Sequence, residues 1–262
     1  MEYILIALVA FGAAMLTFFS GFGLGTILLP VFAIFFPVEI AIAMTAIVHL
    51  INNLFKMSLI WQAVNLKVAA LFAIPAALFA IGGALLLNYL SSDDALFTYH
   101  LGNKEFEVTL IKLIIGLLLI IFAIIEIDKR FDKLALPRKY LPIGGALSGF
   151  FGGLSGHQGA LRSLFLLRAG LGKEGFIATG IAAAIVIDIS RLSIYGTSFF
   201  SKHFAAISND NSVWMVVVAT LAAFAGSFIG RRMLKKVTMR TVQLSVGFLI
   251  LVMGVLLGSG II

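Results

Sequence analysis

A few ionisable and amide side chains lie inside apolar runs, where they are costly to place. Arg162 falls in the stretch GHQGALRS, with Ser155, His157, Gln158 and Ser163 beside it. An arginine at the centre of a bilayer costs about 2.5–3.5 kcal/mol on insertion scales. It should therefore face a polar interior and pair with a carboxylate or a bound anion. His49, Asn53 and Lys56 are spaced to share one face of a helix, with Asn52 flanking it, and Asp188 and Arg191 share a face in the same way. The chemistry these residues suit is capture of an anion. Lys56, Arg162 and Arg191 supply charge, and Asn52, Asn53, Ser155, His157, Gln158 and Ser163 supply neutral hydrogen bonds. Asp188 would neutralise Arg191 in the empty site or carry a proton for coupling. The plainer reading is a structural Asp188–Arg191 pair, with Lys56 and Arg162 snorkelling to an interface. Thr26, Thr45 and Thr179 either line the site or bond back to their own helices. Lys67, Lys112, Glu126, Arg168 and Lys173 sit near segment ends and read as interfacial.

Two glycine-rich breaks must position these groups. They are SGFGLGTILLP at 20–30 and SGHQGALRSLF at 155–165. Glycine lets the backbone leave helical geometry without a Cβ penalty. Backbone groups freed inside a membrane must face protein or a polar cavity. A helix beginning at such a break points its free N–H groups and positive dipole end at that cavity, which suits an anion. Gly21, Gly23, Gly25, Gly156 and Gly159 are the candidate backbone anion site; close helix packing alone is the competing role for these glycines.

The elements are helices in a membrane. Of the 262 residues, 61% are hydrophobic and 12% charged, with no cysteine and a net charge of +7. A soluble domain averages about 45–50% apolar and about 25% charged, so the chain reads as an all-α polytopic membrane protein. The N-terminus lacks a basic region and a cleavage site and reads as a retained membrane segment. About ten apolar segments are expected, at roughly 3–19, 24–36, 38–62, 68–90, 110–127, 141–154, 159–171, 175–200, 213–234 and 241–258. Several are too short to cross a bilayer, and these come in pairs joined at the glycine breaks. Pro30, Pro37, Pro75 and Pro142 are read as kinks or ends.

The second half echoes the first. An offset of 135 places Ser20 on Ser155, Gly21 on Gly156, Glu39 on Glu174, Asn53 on Asp188 and Lys56 on Arg191. Gly82 matches Gly226 at offset 144, and 111–120 matches 242–251 at offset 131. The expected organisation is a first repeat over 1–128, a basic linker over 129–140 and a second repeat over 141–262. Bases crowd 128–140 and 231–240, whereas 91–109 is acidic, so the basic loops are expected in the cytoplasm. Counting crossings between them makes 141–171 start and end on one side. Each half then has odd parity, the halves are inverted, and both termini lie outside the cytoplasm, as in many secondary transporters.

Composition and motifs also exclude. The bases sit in short loops that suit lipid headgroups, so no nucleic-acid partner is implied. No GxxxxGK[ST] loop, HExxH motif or paired catalytic carboxylates are present, so neither ATP-driven transport nor a membrane enzyme is expected. No cofactor or metal site is expected. Transport of a metal or other cation by Asp188, His49, His157 and the asparagines is the alternative, with a membrane enzyme or sensor behind it. The partners expected are a small anion and the bilayer. Proton coupling and homo-oligomer formation stay open.

With these motifs in order, the chain resembles the sulfite exporter TauE/SafE family. The resemblance rests on GFGLGTILLP (21–30), AIAMTAIVHLINNLFK (41–56), GLSGHQGALRS (153–163) and a GxxxG with a basic turn (226–240). It covers nearly the whole chain. It implies a plasma-membrane transporter of sulfite or organosulfonate-type anions, generally outward-moving. His157, Gln158 and Ala160 stand where many members carry a plainer glycine run, and Phe165 replaces the proline of the first repeat.

Overall fold

The two short helical pairs foreseen at the glycine breaks are present in the computed structural model as hairpins. The structure describes residues 1–18, 23–91, 95–102, 104–128, 130, 136–202, 210–233 and 239–262. Helix α1 (Glu2–Thr17) and α2 (Leu24–Ala33) form the first pair. Helices α3 (Val38–Ile60), α4 (Leu66–Leu90) and α5 (Leu110–Ile127) complete that half. The second half holds α6 (Leu141–Ser155) and α7 (Gly159–Leu166) as its pair, then α8 (Lys173–Lys202), α9 (Asp210–Met233) and α10 (Met239–Gly258). Among the described residues, five helices, α3, α4, α5, α8 and α9, are long and apolar enough to cross a membrane.

The differences from expectation are local. The loop 91–109 carries an antiparallel hairpin of β1 (Ala95–Leu101) and β2 (Lys104–Thr109), with Leu101 opposite Lys104 and Tyr99 opposite Phe106. Gly102 takes φ 64° at its turn, the left-handed conformation that hairpin turns require. Of the prolines read as kinks or ends, Pro30 and Pro75 lie inside α2 and α4. Each removes one ladder bond, from the carbonyls of Thr26 and Leu71 respectively. Helix α7 stops at Leu166, short of the expected 171, and Gly170 at φ 78° turns the chain towards α8.

Helix pairing depends on glycine. Helix α6 runs parallel to α4, and a Cβ on Gly145, Gly149 or Gly153 would lie 2.1 Å from the carbonyl oxygen of Phe72, Ala76 or Ala80. Only glycine permits that backbone approach. Helix α1 packs in parallel on α9, where Gly226 meets the carbonyl of Phe11 and Gly230 that of Met15. Helices α5 and α10 pack antiparallel, with Gly116 against Gly258 and Gly247 against Ile127. Helices α3 and α8 also run antiparallel through the centre, joined midway by His49 and Asp188, and Asn65, after α3 at the start of α4, meets Thr179 of α8. Because α4 and α6 meet backbone to backbone, no side-chain rotamer can relieve an added Cβ. Gly149→Val is expected to cost at least the roughly 1–3 kcal/mol of an overpacked core. Thermal unfolding in detergent should show it, whereas Gly82→Ala, where a Cβ meets nothing within 4 Å, should melt like wild type.

Candidate functional site

The polar centre is built on α3, α7 and α8. Asp188, fully buried on α8, receives four hydrogen bonds. Arg191 donates to Oδ1 from Nε (3.0 Å) and Nη2 (2.7 Å), and the Gln158 amide donates to the same oxygen at 3.1 Å. His49 Nδ1 lies 2.6 Å from Oδ2. The carboxylate only accepts, so Nδ1 carries the His49 proton. Nε2 is then an acceptor, and the Asn53 amide faces it at 3.4 Å. Gln158 extends the chain of bonds, because its Oε1 accepts from Arg162 Nη1 at 3.0 Å. Arg162 and Arg191 are 2% and 1% exposed. Among the described residues the centre thus places buried Lys56, Arg162 and Arg191 against one buried carboxylate, Asp188.

The two breaks meet here. Gly23 at φ 109° precedes α2, and Gly156 at φ 80° ends α6. A small cavity of about 10 Å³ between them is lined by Gly23, Gly25 and Thr26 from the start of α2, and by Gly156, Gln158, Gly159 and Arg162 around the start of α7. His49 closes it from α3. The first turns of two helices, with N–H groups that have no intrahelical acceptor, converge on a space beside a buried guanidinium. Gly23 cannot be replaced without strain, because its φ is left-handed and a Cβ would lie 2.7 Å from Thr17 Cγ2.

The sequence-predicted residues divide into those in the network and those beside it. His49, Asn53, Gln158, Arg162, Asp188 and Arg191 are joined by hydrogen bonds. Gly23, Gly25, Gly156 and Gly159 line the cavity; Ser20 and Gly21 lie outside the described residues. Asn52 turns to α9, where its Oδ1 accepts from Ser227 Oγ at 2.9 Å. Lys56 is buried with Nζ 5.6 Å from the centroid of the Phe18 ring. Ser155 donates to the Phe151 carbonyl, and the half-buried Ser163 stands beside Arg162 without a described bond to the network. His157 turns away from Asp188 and stacks on Phe122 of α5. Thr179 fixes the start of α4 by accepting from the Asn65 N–H.

Other residues at the centre were not foreseen. The Tyr195 hydroxyl donates to the Gly153 carbonyl and Arg191 Nη1 to that of Gly152, tying α8 to α6 at one side of the network. On the other side a cavity of about 530 Å³ descends between the C-terminal ends of α3 and α9 and the start of α8. Trp61, Lys173, Glu174 and Arg231 line it, and so does Phe18, the neighbour of Lys56. Lys173 therefore faces a cavity rather than only an interface. Glu126 is buried (5% exposed), not interfacial. Its sequence signal was present, since a carboxylate in so apolar a segment as 110–127 is rare without a role.

Broken helical hairpins, membrane-length apolar helices and a charged, buried centre define an integral membrane protein of the transporter class. The chain belongs to the sulfite exporter TauE/SafE family, whose family model matches residues 6–257. No curated protein and no solved structure matches it significantly.

Proposed function

We propose that the protein is a secondary transporter of a small oxyanion, sulfite or an organosulfonate-type sulfur anion, working by alternating access at the cavity between the two breaks. The observation that carries this reading is the convergence of the α2 and α7 first turns on one cavity beside Arg162, in a centre where cations outnumber carboxylates. Fixed N–H dipoles and a guanidinium are donors that suit an oxyanion, and the cavity, about 10 Å³ here, would widen to admit one. An arriving anion would take the place of Gln158 Oε1 on Arg162. Asp188 keeps Arg191 neutralised and oriented, so Arg191 acts as a strut and Arg162 as the binding cation.

The inverted relation of the halves has support in the packing. Gly83 meets the Phe150 carbonyl and the Leu154 N–H, and Gly226 meets the Phe11 carbonyl and the Met15 N–H. The same contact thus occurs twice, and it pairs Gly226 with Gly83 rather than with Gly82. On α5 and α10 the offset of 131 carries Gly116 onto Gly247 and Ile127 onto Gly258, which exchanges the two observed contacts. Such exchange is what a two-fold axis in the membrane plane produces.

If the basic loops are cytoplasmic, the 530 Å³ vestibule opens to the cytoplasm. Phe18 and Lys56 stand between it and the centre, and the Tyr195 and Arg191 bonds to α6 close the far side. A cytoplasm-open state of this kind is the one from which an exporter loads its anion. The test is flux of labelled sulfite, thiosulfate and sulfate in proteoliposomes. Saturable flux above empty vesicles is expected for at least one of them. No flux of any, from folded and inserted protein, would contradict the assignment.

A further inference from the structure

We infer that His157 and Glu126 form a proton site adjoining the anion cavity, with Thr26 lining both, and that a proton bound there travels with the anion. The coupling half of this inference rests on the transport reading above; the site itself does not.

His157 lies in the second break next to Gln158, yet its ring faces α5 instead of Asp188. It stacks on Phe122 with centroids 5.9 Å apart and planes inclined by 12°. Its Nδ1 is 3.3 Å from Ser155 Oγ, and that hydroxyl already donates to the Phe151 carbonyl. Ser155 can therefore only accept from His157, so Nδ1 carries the proton of the neutral ring and Nε2 is a bare acceptor. Nε2 is buried with no hydrogen-bond partner among the described residues. Buried acceptors are nearly always satisfied, by protein or by water.

A second cavity of about 10 Å³ lies against His157, lined also by Glu126, Thr26, Phe122 and Ile250. It has the size of one water, and it offers that water the polar partners it needs. Glu126 is one turn beyond Phe122 on α5, so both face the same way. Glu126 stands one residue before the end of its helix, whereas His157 stands at the break. The pair therefore links the aqueous end of α5 with the middle of the fold.

Among the described residues, charged groups flank both sides of this site. On the His157 side, Arg191 Nη1 lies near Gly156, 3.1 Å from where a Cβ would be, and Arg162 on α7 lines the neighbouring cavity. On the Glu126 side, α10 contributes Arg240, which donates to the backbone carbonyls of Glu126 and Ile127, and the end of α5 leads into the Asp128–Arg130 pair. The transfer balances through one water. The Glu126 O–H bond breaks, the water takes that proton and gives one of its own to Nε2, and a carboxylate and an imidazolium remain. The imidazolium sits beside Gln158 and adds positive charge next to the anion cavity. Proton and anion then favour each other's binding, which makes the transport symport in whichever direction the gradients drive.

The test uses full-length protein in proteoliposomes, with the membrane potential clamped and an internal pH dye. Sulfate and methanesulfonate are the probes, since neither carries an exchangeable proton near neutral pH. A gradient of the transported anion should move protons in the same direction, and in Glu126→Gln the ratio of protons to anions should fall towards zero. Anion flux without proton movement, or an unchanged ratio in the variant, would overturn the inference. An absence of anion flux would count against the transport reading instead. The site is then decided by ¹⁵N-histidine NMR of the same protein, which has four histidines, the His157 signal being assigned by its loss in His157→Gln. A His157 titration midpoint that moves in Glu126→Gln is expected; one that stays put would overturn the proton site whatever the flux.

Discussion

Arg162→Gln should reduce saturable anion flux by about 100-fold or more, with the fold intact. Truncating one partner of a buried, hydrogen-bonded charge pair costs about 2–5 kcal/mol, and here the second partner is the transported anion. Glutamine keeps a donor of similar reach, and the bond from Arg162 to Gln158 Oε1 is the one lost within the Asp188 network as described. Thermal stability should therefore change little, and a buried cation is removed rather than stranded. Arg162→Lys should recover only part of the flux, because an ammonium cannot present the planar fork that grips two oxygens. The measurement is concentration-dependent flux in proteoliposomes alongside a melting curve in detergent. Equal loss of both would make Arg162 a structural residue.

Asp188→Asn should destabilise the protein by about 3–5 kcal/mol, the cost of breaking a buried ion pair and leaving one charge uncompensated. That corresponds to a fall in Tm of roughly 10 °C. Arg191 loses its countercharge; the one remaining amide oxygen can still accept from Arg191 and Gln158, but the NH2 then faces His49 Nδ1, which loses the acceptor that holds its tautomer. Asp188→Asn with Arg191→Gln should regain much of the lost stability, because the pair disappears together. Near-additive losses in the double variant, read from the same melting curves, would mean the two residues are not coupled. Arg191→Gln alone should be milder than Asp188→Asn, since Asp188 keeps three partners' worth of compensation in His49, Gln158 and the nearby Arg162.

The helical plan and the centre were largely legible in the sequence, for physical reasons. Apolar segments are read by length, and α5 begins and ends at the expected Leu110 and Ile127. Buried charges announce themselves by their cost, and His49, Asn53, Arg162, Asp188 and Arg191 all lie in the network. What failed was direction. Asn52 and Asn53 are adjacent in sequence but about 100° apart on a helix, and only Asn53 reaches His49, while Asn52 meets Ser227 on α9. His157 sits in the right stretch but faces α5, because the left-handed Gly156 before it re-aims the chain. Glu126 looked interfacial from its place near a segment end; packing of α5 against α7 and α10 buries it, which no local pattern reveals. The hairpin at 95–109 had a local signal, an alternating run on either side of Leu101-Gly102-Asn103-Lys104, which composition-led reading of a loop passes over. The role of Tyr195 depends on contact with the Gly153 carbonyl 42 residues away in sequence, and only the fold brings those groups together.

The central claim is that a small oxyanion binds between the two breaks. The most direct measurement is an anomalous-scattering map from crystals soaked in selenite, a heavier relative of sulfite. The account predicts a selenium peak in the cavity bounded by Gly23, Gly25, Thr26, Gly159 and Arg162, lost in Arg162→Gln crystals treated alike. A peak confined to the vestibule near Lys173 and Arg231, or no peak at saturating selenite, would contradict it.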